Sequence, residues 1–252
     1  MELIIENNEL VKYIESEDDK ILNIPEGVTC IKEEAFDHNA MYVREITYPS
    51  TLEKIEDYAT GGAIWVEKID LPEKLTDIGA GAFFEWLNLK KITLPYGVKK
   101  ISTEMFGMCE HLEEISKPDT VEEIEHSAFY HCINLKSIDL TGVKKIGVYG
   151  FWCCMSLTEI DMPDTVTVID DCAFEECSGV TKLKLSNNLE KIGEYTFWGC
   201  TSLEAVEVPK SVQSIGKCAF GGCTSLTEIR VPKRCRLKWG WKKGTNARVV
   251  RY

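Results

Sequence analysis

The sequence predicts a repeat solenoid, mostly β with short turns and helical turns, of about nine stacked units of 23 residues. Three observations lead there. A motif returns along most of the chain: IGAGAFFEWLNLKKITLP (78–95) recurs as IEHSAFYHCINLKSIDLT (124–141), IDDCAFEECSGVTKLKLS (169–186), IGEYTFWGCTSLEAVEVP (192–209) and IGKCAFGGCTSLTEIRVP (215–232). The anchors of that motif, Phe36, Thr60, Phe83, Phe106, Phe129, Phe151, Phe174, Phe197 and Phe220, are spaced 24, 23, 23, 23, 22, 23, 23 and 23 residues apart. Six cysteines (109, 132, 154, 177, 200 and 223) each stand three residues after an anchor.

Each element of the unit has its own reason. In L-x-x-I-x-L-P, apolar residues two apart (Ile92/Leu94, Ile138/Leu140, Ile160/Met162, Val206/Val208) have the period of a strand with one face inward. The closing proline ends that strand where a missing N–H does least harm. A second extended piece, V-x-x-I, follows (Val98/Ile101, Val121/Ile124, Val166/Ile169, Val212/Ile215), and the A-F turn leads back to the next unit. A unit this small cannot bury its own apolar side, so stability comes from neighbour on neighbour. The short spacing falls at Leu140-Thr141-Gly142-Val143, where proline is missing; the long one falls between Asn39 and Val43. Both lie in connections, where length changes are cheap, so the strands are expected to stack into one sheet of a continuous array.

Solenoid ends must be covered. Residues 1–20, with Leu3, Ile4, Ile5, Leu10 and Val11 among acids, read as an N-terminal cap. Residues 21–235 form the solenoid, and residues 236–252 a basic C-terminal cap or tail in which Trp239 and Trp241 supply the cover, all one domain.

The frame I-G-x-x-A-F-x-x-C-x-x-L-x-x-I-x-L-P-x-x-V resembles the BspA-like (Treponema pallidum-type) leucine-rich repeats over about residues 21–235. The resemblance implies a curved leucine-rich-repeat solenoid, a right-handed superhelix, and a bacterial cell-surface or adhesion role of the kind many members look to have.

Composition narrows the function. No apolar run approaches the roughly 20 residues of a membrane-spanning helix, and the start lacks the features of a secretory signal. As written the chain is expected in the cytoplasm, with the cell surface as the alternative if a signal was trimmed. Net charge is −12, yet Arg230 to Tyr252 holds nine Lys/Arg and no acid, leaving 20 basic and 41 acidic side chains, a net of −21, on residues 1–229. An acidic body argues against nucleic acid. The basic tail raises salt-sensitive self-association against the acidic body of another copy as an alternative to a plain cap.

No catalytic, cofactor or metal constellation emerges. The cysteine ladder does not converge as four zinc ligands must, its side chains point alike rather than at each other, and its simplest role is that of a small buried hydrophobe. Cys172 and Cys218, two residues before an anchor, are expected nearer the surface as structural extras. His38, His111, His126 and His131 share no register with a nucleophile. What remains is a non-enzymatic scaffold binding a protein of unknown identity. Strand alternation turns Lys68, Asp70, Lys91, Thr93, Glu114, Ser116, Ser137, Asp139, Glu159, Asp161, Lys182, Lys184 and Glu207 onto the sheet face, the usual docking surface of a solenoid. That face carries mixed charge and no aromatics. A second candidate is the strip Phe84, Tyr130, Trp152 and Trp198, each directly after an anchor, which is either a partner patch or rings lying flat over neighbouring turns. Trp239 and Trp241 form the third.

Overall fold

The computed structural model describes residues 2–16, 20–36 and 40–252 of the chain and is a β-solenoid. Most turns carry a first strand from the I-x-L piece, and each is followed by a second, two-residue strand from V-x-x-I. Pairing between turns is parallel and in register, as in Ile115↔Ile92, Ile160↔Leu183 and Val206↔Ile229 of the first sheet and Ile124↔Ile146 of the second. Burial alternates as the period of two requires: in Lys91–Thr93, Glu159–Asp161 and Ala205–Glu207 only the central residue is buried.

The first sheet is not the single sheet expected from the sequence. Among the described residues it falls into separate pieces, and the turn between Glu114–Ser116 and Glu159–Asp161 contributes no strand at 137–139. This is the turn one residue short. Its Gly142 adopts φ 83°, with its Cα pressed toward the Asp119 carbonyl of the previous turn. Lys117, standing where the frame calls for an inward leucine, donates from Nζ to the Thr141 carbonyl at 2.7 Å. Asn39, at one edge of the lengthened segment, lies outside the described residues.

No helix occurs among the described residues; the returning arm is a chain of tight turns. Two residues before the anchor the backbone is left-handed in all nine units: Glu34, Tyr58, Gly81, Glu104, Ser127, Tyr149, Cys172, Tyr195 and Cys218. Two residues after it the same holds from Gly62 through Gly222. Left-handed residues cannot propagate an α-helix. They turn alternate N–H groups along the solenoid axis instead, so Ser127, Phe129 and His131 donate to the Val148, Gly150 and Trp152 carbonyls of the next turn at 2.8–2.9 Å. The arm is thus a third hydrogen-bonded ladder beside the two sheets.

Inside it run two columns. The rings of Phe83, Phe106, Phe129, Phe151, Phe174, Phe197 and Phe220 stack at 4.9–5.7 Å with interplanar angles of 4–16°. Beside them each ladder cysteine donates its S–H to the carbonyl of the preceding anchor, as Cys132 does to Phe106 at 3.1 Å.

Thr60 breaks the ring column, and the neighbouring turns fill in. Trp86, in the cysteine position after Phe83, is fully buried, and its Nε1 donates to the Thr60 carbonyl at 2.7 Å, the bond a thiol makes elsewhere. Trp86→Phe keeps most of the volume and removes the donor. It should lower stability by about 1–3 kcal/mol, the cost of an orphaned buried acceptor. An unchanged urea midpoint would mean that the indole acts by bulk alone.

At the amino-terminal end the strands Glu2–Glu6 and Glu9–Ile14 form an antiparallel hairpin whose Tyr13 packs on Phe36 at 5.4 Å. At the other end Trp241 meets Phe220 edge-on at 6.3 Å. Trp239 does not share that work: it is 78% exposed, because the chain turns at Gly240 and only one of the two indoles can face the column.

Candidate binding surfaces

The sheet-face residues do share one exposed face, and much of their charge is spent on each other. Lys91 pairs with Glu114, Asp161 with Lys184 and Glu207 with Arg230, each at 2.7 Å across adjacent strands; Glu159 lies 3.7 Å from Lys182. Such exposed pairs contribute little to stability, about 0–1 kcal/mol each. Their effect is to neutralise the middle and carboxy-terminal parts of the face.

The amino-terminal third differs. Among the described residues Lys68 pairs only with Asp70, two residues along, at 3.2 Å, and residues 68–70, which form no strand, meet the next turn through the single bridge Lys68↔Lys91. Two shallow clefts open there and share Ile69 and Asp70. Trp65, 49% exposed, lines the first, with the Arg44 guanidinium 5.9 Å from its ring centroid. Tyr96, 76% exposed, borders the second. The face therefore does have aromatics at its margin. Trp65 was missed because it sits in a connection, and Tyr96 because it follows the proline, so neither falls in the alternating strand pattern.

On the turn side, Phe84, Tyr130, Trp152 and Trp198 are half-buried. The Phe84 ring lies over Gly107 of the next turn and the Trp198 ring over Gly221, so closely that a Cβ on either glycine would stand 2.9 Å and 2.2 Å from ring carbons. Tyr130 and Trp152 stack on each other at 5.0 Å, with His131 packed against both rings. One face of each ring is thus covered by a neighbouring turn.

All eleven cysteines are free thiols. Ten are buried, Cys218 among them; it is 3% exposed rather than near the surface, because the terminal turn carrying Gly240 folds over it. Cys172 alone is of intermediate exposure. Burial pushes its thiol up to about 12, and the adjoining Glu175 carboxylate adds to the effect. Its alkylation rate is expected to climb about tenfold per pH unit through pH 9–11, tracking the thiolate fraction, without levelling off near an ordinary thiol value. A plateau below pH 10 in a mass-spectrometric labelling series would contradict this. Among the described residues no three His, Cys, Asp or Glu side chains gather as a metal site would, and no helix is long and apolar enough to cross a membrane. His111 contacts the Leu87 carbonyl at 2.8 Å and His126 packs on Tyr149, while His38 lies outside the described residues.

Stacked turns with one broad exposed face define a leucine-rich-repeat scaffold. The chain belongs to the BspA-type leucine-rich repeat family, whose repeat region matches in six copies over residues 15–136 and 144–237. The interruption falls on the short turn. The fold is similar to that of a leucine-rich repeat protein from T. pallidum, with 28% identity and a TM-score of 0.57, covering 69% of this chain and 78% of that one. It is similar also to the pneumococcal vaccine antigen PcpA, at 18% identity and a TM-score of 0.52, covering 99% of this chain and 85% of that one, a likeness of fold alone. No curated protein sequence matches significantly.

Proposed function

We propose that the chain is a non-enzymatic protein-binding scaffold that docks its partner on the amino-terminal third of the sheet face. Residues 1–20 and 236–252 act as end caps in this reading, and residues 21–235 supply the working surface. The observation that carries it is the grouping of Arg44, Trp65 and Tyr96 beside Lys68, Asp70 and Thr93, where Lys68 and Asp70 pair with each other instead of across to the next turn, while the adjoining Glu67 reaches Lys90 at 2.7 Å. Arginine, tryptophan and tyrosine are the side chains that dominate binding energy at protein interfaces. We propose an adhesive role at a bacterial surface as one form of this reading, the form that the resemblance to the BspA-like repeats implies.

Site-specific photo-crosslinking in intact source cells tests it. A benzoylphenylalanine at Thr93 should give a discrete adduct that one at Lys184, on the same face among paired charges, does not. Adducts at Lys184 and none at Thr93 would move the interface away from the proposed third. Surface biotinylation of the same cells separates an adhesin from an internal scaffold.

A further inference from the structure

The two ends of the solenoid differ in charge and match in form. At one end the outermost strand of the second sheet is Glu2–Glu6, with Glu2 and Glu6 exposed. The first twenty residues hold seven acids and two lysines. At the other end the second sheet finishes at Arg236–Leu237 and the first at Arg248–Arg251. Among the described residues, none of these three strands has a neighbour on its outer side. Of the nine tail cations, only Arg230 and Lys238 form ion pairs with the described residues, with Glu207 at 2.7 Å and Glu194 at 3.6 Å. Lys233, Arg234, Arg236, Lys243 and Arg248 are exposed.

An uncovered strand edge offers a row of N–H and C=O groups to any strand that can approach it, and whether one approaches depends on charge. Two acidic ends repel, as do two basic ends, so each discourages pairing with its own kind and favours the other. The head also offers apolar contact: Ile5 and Ile14 are 39% and 41% exposed beside the acids, and the tail presents Trp239.

We propose that the occupant of the basic end is a second copy of this chain. Its Glu2–Glu6 strand lies antiparallel beside Arg236–Leu237, with Glu2 and Glu6 against Arg236, Lys238 and their neighbours, so the second sheet runs on from one molecule into the next. The contact is heterologous and generates linear head-to-tail assemblies rather than closed dimers. It is separate from the sheet face, so partner docking and assembly fail or succeed independently.

Sedimentation velocity on the full chain tests the proposal. At low salt the average sedimentation coefficient should rise with protein concentration, and at high salt it should fall to the monomer value. A tail-reversed variant, R236E with K238E, and a head-reversed variant, E2K with E6K, should each stay monomeric at low salt while keeping the wild-type circular dichroism and melting curve. Mixed, they should recover association as alternating head-to-tail chains, because one variant then has two acidic ends and the other two basic ones, and each end of one complements the opposite end of the other. A wild-type chain monomeric at every salt overturns the proposal, as does a mixture that fails to associate. Wild-type monomers that instead bind phosphatidylglycerol vesicles, with R236E/K238E losing that binding, would also overturn it and assign the tail to an anionic surface.

Discussion

Replacing Phe151 by alanine is expected to lower the stability of the solenoid by about 3–5 kcal/mol, the cost of truncating a buried aromatic side chain to alanine. Phe151 is fully buried in the tightest part of the column, 5.1 Å from Phe129 at 9° and 4.9 Å from Phe174 at 4°. The neighbouring rings cannot close the gap, because each is held by a turn hydrogen-bonded to the next: Phe129 N–H donates to Gly150 and Phe151 N–H to Ala173, both at 2.8 Å. Position adds a second consequence. In a solenoid each turn touches only its neighbours, so damage in the middle weakens the coupling between two halves. The urea transition should shift to lower concentration and also broaden or split. A loss below about 1 kcal/mol would mean that the column is not the stabilising core.

The column was legible from sequence because the frame places one aromatic per turn at a near-constant spacing, and the inward strand positions followed from their period of two. What was not legible depends on contacts between turns. The frame records that Thr60 lacks a ring and that Trp86 replaces a cysteine, as separate irregularities; only stacking makes them one repair, with the indole N–H reaching the Thr60 carbonyl. The left-handed positions flanking the anchor are occupied by Glu, Tyr, Ser, His, Met and Cys as well as Gly, so composition gave no sign that the arm is a ladder of turns rather than helical. The candidate face suffered similarly. Its alternating residues were found, but Trp65, Arg44 and Tyr96 occupy connecting positions, where the repeat imposes no residue type. Trp239 and Trp241 look equivalent as letters, and only the turn at Gly240 decides which one covers Phe220.

The short turn offers the sharpest test of whether length changes in the connections are in fact cheap. Gly27 and Gly142 occupy the same frame position, directly before the inward valine, and both have positive φ, 97° and 83°. A Cβ on Gly27 would meet nothing within 4 Å, whereas one on Gly142 would stand 2.1 Å from the Asp119 carbonyl oxygen. Gly27→Ala should therefore cost only the left-handed backbone penalty, about 1–2 kcal/mol. Gly142→Ala adds an overpacking cost of about 1–3 kcal/mol, since the obstructing atom belongs to the backbone and cannot rotate away. The difference between their urea midpoints isolates the effect of the missing residue. Inserting one residue after Thr141 restores the 23-residue spacing and should relieve the clash, so the insertion and the alanine together should be less damaging than the sum of each alone. If Gly142→Ala is no worse than Gly27→Ala, the short turn is free to relax. In that case the loss of the strand at 137–139 needs a cause other than the missing residue, and Lys117 in its leucine position is the change to test next.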